Sequence, residues 1–121
     1  MADYVFGSPA SSACAARARE AITTMTTAKT LTAATYESRA TAVGAFDGAT
    51  SPVGAVLNVK TAAVNFTVDG TAPTATAGTD VGFYGNTGDT ITLWGRSQVA
   101  NFKAINAVNA NGAILEVAYL Y

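Results

Sequence analysis

Residues 55–70 read AVLNVKTAAVNFTVDG, and the reading of this stretch decides the fold class. Leu57 and Val59 fall on one face of an alternating pattern, whereas Val64, Phe66 and Val68 fall on one of opposite parity. Alternation with a period of two marks a half-buried β-strand. A one-residue slip moves every side chain to the other face, so the phase change at residues 60–63 predicts a tight turn or a bulge. Asp69-Gly70 ends the run. Glycine accepts positive φ and aspartate hydrogen-bonds its own backbone, which makes the pair a strong turn signal. Pro73 then prevents the chain from continuing as a central strand, because it has no amide to give to a ladder. Asp69, Gly70 and Pro73 therefore read as architecture, a corner between strands.

The same signals recur on both sides. Residues 81–95, VGFYGNTGDTITLWG, place Val81 and Phe83 on one face, a turn at 86–89 with Gly88 and Asp89, then Ile91 and Leu93 with Trp94 opposite. Val99, Phe102 and Ile105 precede another turn at 109–112, and in ILEVAYLY the residues Leu115, Val117 and Tyr119 alternate with Glu116, Ala118 and Leu120. Upstream, KTLTAATY at 29–36 alternates as a first strand, and residues 39–55, rich in glycine, Asp47 and Pro52, read as a loop. Short strands at regular spacing, punctuated by Gly and Asp/Asn turns, point to a mainly β chain with an antiparallel β-sandwich or jelly-roll-like domain over residues 29–121.

Residues 1–28 differ in composition. Tyr4-Val5-Phe6 forms an aromatic tip, and Ser8 stands where it could cap a helix with Pro9 at its first position. Alanines, Arg17, Arg19 and Glu20 continue as good helix formers, until Thr23, Thr24, Thr26 and Thr27 weaken the run. This predicts a short helix over residues 9–24 within an N-terminal arm, its apolar face almost all alanine.

Composition removes whole classes of function. With 121 residues the chain fits one domain. Its net charge is −1 and its seven basic residues are scattered, so no basic stripe exists to follow nucleic acid. Mean hydropathy is +0.25, yet no apolar run reaches the ~18 residues of a spanning helix. The first residues lack a basic stretch followed by an apolar one, so no signal peptide is read and folding in a cytoplasm is expected. Histidine is absent and Cys14 is alone, which removes Ser/His and Cys/His triads, cysteine zinc sites and internal disulfides. Cys14 reads as a small buried apolar side chain.

Few candidates for chemistry remain. Asp69, Asp80 and Asp89 near turns could bind calcium or act on a glycoside, but each adjoins Gly or Thr, where aspartate serves as a turn residue. Asn65-Phe66-Thr67 matches a glycosylation acceptor, yet lies inside a strand and reads as chance. Trp94, Phe83 and Tyr84 could form an aromatic platform for a sugar, with core and rim packing as the alternative. No catalytic, metal or cofactor-binding residue is assigned, and the expectation is a protein that is not an enzyme and has no cofactor. The aromatic ends, Tyr4, Val5 and Phe6 on one side and Tyr119 and Tyr121 on the other, are candidate partner-binding residues, with packing against their own sandwich as the alternative.

The strand map, taken together, resembles small β-sandwich proteins from the structural gene regions of tailed bacteriophages. The residues that carry the resemblance are Asp69, Gly70, Thr71, Pro73 and Thr74 in a DGT-x-PT corner, and Gly88 and Asp89 before an apolar strand. Phe102, Ala104 and Ile105, then Val117 and Tyr119 in the final strand, complete it. It covers about residues 29–121 and leaves the N-terminal segment unmatched. The resemblance implies a capsid decoration or cement protein, located in the virion after assembly in the host cytoplasm. It implies the major capsid protein or another virion protein as partner, and a homo-oligomer, guessed as a trimer. The alternative is a host-surface or glycan-binding module of a tail or fibre.

Overall fold

The phase change at residues 60–63 is the place where the chain passes from one sheet to the other. In the computed structural model, which describes residues 2–7, 16–23, 25–36 and 52–121, β4 (Gly54–Lys60) and β5 (Val64–Thr67) belong to different sheets. Between them Thr61 takes a positive φ of 68° and the Ala62 amide donates to the Lys60 carbonyl at 2.8 Å, a tight reversal. Opposite parity is thus what two facing sheets require: Leu57 and Val59 enter the core from one side, Val64 and Phe66 from the other, all 0% exposed.

The remaining elements are β1 (Asp3–Phe6), β2 (Ala16–Ile22), β3 (Lys29–Thr30), α1 (Ala33–Tyr36), β6 (Phe83–Gly85), β7 (Thr90–Trp94), α2 (Arg96–Asn101), β8 (Lys103–Asn106) and β9 (Ile114–Leu120). They build a five-stranded sheet in the order β1-β7-β4-β9-β2 and a four-stranded sheet in the order β3-β8-β5-β6. The two sheets pack face to face as a β-sandwich. Its ladders are antiparallel except β1 with β7, which is parallel. Ile91 and Leu93 of β7, with Leu115, Val117 and Tyr119 of β9, join Leu57 and Val59 in the core, and Phe66 stacks on Phe102 at 5.8 Å. Each such side chain removed from water contributes about 1.5–3 kcal/mol.

Three expectations are corrected. Residues 16–22 are a strand, not part of a helix over 9–24: β2 pairs with β9 from Ala16 opposite Leu120 to Ile22 opposite Leu115. Helix propensity is a weak prior, and here pairing with β9, irregular only between Ala16 and Ala18, lets Ala18 and Ile22 reach the core. Residues 8–15, Cys14 included, lie outside the described residues. The segment expected as a separate arm instead supplies both edge strands of the five-stranded sheet, β1 and β2. The strand expected over 29–36 is only two residues long and gives way to α1. There the Thr32 carbonyl accepts from the Thr35 and Tyr36 amides, while the Glu20 carboxylate accepts from the Thr32 amide at 3.1 Å and hydroxyl at 2.7 Å. Of the loop expected at 39–55, residues 39–51 lie outside the described residues.

The corner after β5 forms where the sequence places it and continues into a longer segment. Residues 69–82 do turn at Asp69, whose Oδ1 accepts from the Thr71 amide at 3.0 Å, with Gly70 at φ 89°. The chain then folds back as a strap over the outer face of β5. Buried Asn65 donates from Nδ2 to the Thr74 carbonyl at 3.0 Å and to Asp80 Oδ2 at 3.1 Å, and the Thr67 hydroxyl donates to the Thr71 carbonyl. Thr74 bridges to Val81, and Pro73 is buried. All four residues of β5 are therefore buried, those facing the core and those facing the strap.

Candidate partner-binding edge

Strands β1 and β6 end the two sheets on the same side of the sandwich, and aromatic side chains close the gap between them. Tyr4 and Phe6 alternate inward from β1 and meet Phe66 edge-on at 5.5 and 6.0 Å. Phe83 touches Phe6 at 5.5 Å and Phe66 at 5.6 Å, and the Tyr4 hydroxyl donates to the Tyr84 carbonyl at 2.7 Å. Such ring pairs add about 0.5–1.5 kcal/mol beyond the area they bury. β6 comes close to β5 because residue 82 is glycine: at φ 126°, a Cβ there would stand 2.9 Å from the Phe66 carbonyl oxygen.

The closure leaves apolar surface outside. Val5 is 60% exposed, Tyr84 55%, Phe83 49% and Val81 43%. Beside them a groove of about 470 Å³ runs between the strap and β6, with Val68, Val81 and Phe83 as apolar lining and Asp69 and Thr71 at its polar end. Thr71 holds the Asp69 carboxyl below the ordinary carboxylate range by hydrogen bonds to its ionised form, so it carries its charge at neutral pH.

Of the expected partner-binding residues, only Val5 is well exposed. Tyr4 and Phe6 are half-buried against Phe66. Tyr119 and Tyr121 are consumed inside the chain, 0% and 5% exposed. The Tyr119 hydroxyl donates to the Glu20 carboxylate and the Tyr121 hydroxyl to the Tyr36 carbonyl at 2.5 Å, while the Tyr36 and Tyr119 rings lie 5.3 Å apart. Burial, reinforced by that bond to Glu20, pushes the Tyr119 phenol far above its ordinary pKa. A buried phenol needs an acceptor, and β2 brings one.

The turn aspartates are separately employed. Asp89 follows Gly88, at φ 93°, and is 4% exposed; its Oδ2 accepts from the Asn86 amide at 2.8 Å and its Oδ1 from the Ala2 amide at 2.7 Å. Asp80 holds Asn65 beneath the strap, and Asp69 closes its own turn. Among the described residues no three His, Cys, Asp or Glu gather in a group that could hold a metal ion. Asn65 is 1% exposed with its amide nitrogen engaged, so the folded chain offers no acceptor for a glycan there. Trp94 sits in the five-stranded sheet and Tyr84 in the other, so they do not share a sheet face.

Comparison with protein-family models, with curated proteins and with solved structures found no match to the chain. The edge therefore rests on its own geometry. The sequence offers Phe83 and Tyr84 as an aromatic platform or as core and rim packing; it does not show that Val81 is exposed beside them or that Trp94 belongs to the other sheet. No local signal separates this edge strand from a central one: β6 pairs with β5 alone, a neighbour set by the fold.

Proposed function

We propose that this chain is a non-enzymatic structural protein of a tailed-phage virion, a capsid decoration or cement protein that binds the head, stabilises it and associates as a homo-oligomer. The observation that carries the reading is the set of exposed apolar side chains at one edge, Val5, Val81, Phe83 and Tyr84. Exposed apolar surface beside polar residues is a mark of protein interaction sites, and Val81 and Phe83 line one groove together with Asp69 and Thr71. Repeated around a symmetric particle, many weak contacts of this kind add up to firm attachment through multivalency. The resemblance in the Asp69–Thr74 corner and the final strand supplies the phage setting. Quantitative mass spectrometry of purified particles tests the role. A high copy number in fixed ratio to the major capsid protein is expected, and absence from the particles overturns the virion assignment.

A second reading is a glycan-binding module of a tail or fibre, favoured by the exposed Phe83 ring beside Thr71 in the groove and by the exposed Tyr84 ring on the same strand. A copy number far below that of the capsid protein, together with loss of host adsorption in a folded Tyr84→Ser variant, would support it.

A further inference from the structure

The turn before β9 carries Asn111-Gly112, the one place among seven asparagines where glycine follows. An asparagine side chain is open to attack by the main-chain nitrogen of the next residue, provided that nitrogen is free to reach Cγ. At the six other asparagines the fold engages the following residue. The Val59 amide donates to the Asp89 carbonyl at 2.9 Å, that of Phe102 to Gln98 at 3.1 Å, that of Ala107 to Ala63 at 3.0 Å and that of Ala110 to Ala107 at 2.9 Å. The Thr87 amide donates to the Asn86 side-chain oxygen at 2.9 Å, and Phe66, after Asn65, lies in β5 with a strand paired on either side. Asn111 and Gly112 differ. Both are exposed, and neither the Asn111 side chain nor the Gly112 amide has a hydrogen-bond partner among the described residues. Gly112 takes φ 77°, and a Cβ there would meet nothing within 4 Å, so nothing crowds this position.

We propose that Asn111 is a self-modification site, converted by the Gly112 amide to aspartate and isoaspartate as the folded protein ages. The Gly112 nitrogen loses its proton to solvent base and bonds to Asn111 Cγ; the side-chain nitrogen leaves as ammonia, and a five-membered succinimide closes. Water then opens the ring. Breaking the bond between Cγ and the Gly112 nitrogen yields aspartate, and breaking the bond between the main-chain carbonyl carbon and that nitrogen yields isoaspartate. One water enters, one ammonia departs, and nothing is oxidised or reduced. Nucleophile and electrophile sit on adjacent residues, so the step is intramolecular. The product places a carboxylate between two clefts of about 340 and 270 Å³, among whose described lining residues there is no charged group. Isoaspartate also adds a methylene to the main chain just before Gly112. The Gly112 carbonyl accepts from the Thr61 hydroxyl at the reversal between the sheets, and β9 begins two residues later, at Ile114. The chemistry is independent of any role in a virion.

Incubation of the folded chain in mildly alkaline buffer, beside the free peptide of residues 107–115, tests this by mass-spectrometric peptide mapping. Asn111 is expected to deamidate at a rate within about tenfold of the peptide's, with the six other asparagines intact, because an exposed site needs little local opening. An acidic isoform should accumulate on isoelectric focusing and be absent from Asn111→Gln, whose longer side chain closes a ring far more slowly. In NMR spectra of the aged chain the amides of Thr61 and residues 112–114 should shift most. A folded chain more than about tenfold slower than the peptide, which corresponds to an opening cost above about 1.4 kcal/mol, would overturn the proposal. So would earlier deamidation at another asparagine, or an acidic isoform that persists in Asn111→Gln.

Discussion

Replacing Asp89 by alanine should loosen one strand more than the rest of the molecule. The carboxylate ties the Ala2 amide, at the start of β1, to the turn before β7 and closes that turn on the Asn86 amide. Its backbone carbonyl accepts from the Val59 amide at 2.9 Å and from Asn58 Nδ2 at 3.2 Å, bonds that the substitution leaves in place. Hydrogen bonds to a charged group are worth about 1.5–3 kcal/mol each. Ala2 and Asn86 are both exposed residues whose amides can regain water, so the lower end applies and the two together give about 3 kcal/mol. Asp89→Asn keeps one acceptor oxygen and should cost about half as much. Urea denaturation at neutral pH reads the total, and amide exchange locates it: β1 amides should exchange far faster in Asp89→Ala, while those of β9 accelerate only as global stability falls. The two bonds also set a pH dependence. Foremost the Ala2 amide, then that of Asn86, hold the folded carboxyl below its ordinary pKa against the effect of burial. The stabilisation is therefore complete above the unfolded value of about 3.9 and is lost as pH falls through the lower folded value. The acid side of the stability profile should flatten in Asp89→Asn. A loss under about 1 kcal/mol in the alanine variant, or exchange that rises equally in β1 and β9, would refute the assignment of Asp89 as the tie.

Two other perturbations are equally direct. Tyr119→Phe removes the donor to Glu20 and should destabilise by about 1–2 kcal/mol in urea. Because the folded phenol is raised, its contribution holds below about pH 10 and is lost as pH climbs. In an alkaline absorbance titration Tyr119 of the wild type should therefore ionise only on unfolding, and the absorbance change that accompanies unfolding should be smaller by one tyrosine in Tyr119→Phe. Gly82→Ala combines a positive φ with a methyl group against the Phe66 carbonyl and should cost at least about 2 kcal/mol, read by thermal unfolding, with the resonances of β6 shifting most.

Legibility in the sequence followed side-chain size. β4, β5, β7 and β9 announce themselves because Leu, Val, Ile and Phe alternate with polar residues, and the parity change at residues 60–63 marks the passage between sheets. β2 is invisible: its inward residues include Ala18, which buries little, and Glu20, whose inward turn depends on a tyrosine ninety-nine positions away. α1 is equally hidden, since the group that engages Thr32 lies on another strand. Val99, Phe102 and Ile105 stand in one run of the sequence before the turn at 109–112, but Val99 lies in α2 and Phe102 just after it, both fully buried, while Ile105 on β8 is only half-buried. Asp69, Gly70, Gly88 and Asp89 were legible as turn residues from their own chemistry. That Asp89 also binds β1, or that Asn65 anchors a strap, was not, because each bond joins segments that the local pattern treats as independent. The same reason hid the aromatic edge: exposure belongs to the place of a strand in its sheet, which alternation does not encode.

The strand order has a kinetic consequence. In the five-stranded sheet no neighbours are consecutive in the chain, and in the four-stranded sheet only β5 and β6 are. Contacts of such long sequence separation close slowly. β9 lies between β4 and β2, so neither can complete its ladder until residues 114–120 have left the ribosome, although most of the core has by then been synthesised. The β5–β6 hairpin with its strap is the described piece whose pairing is available early. Until β9 arrives, β2 and one edge of β4 lack their partner, and unpaired strand edges of this kind favour aggregation of the incomplete chain.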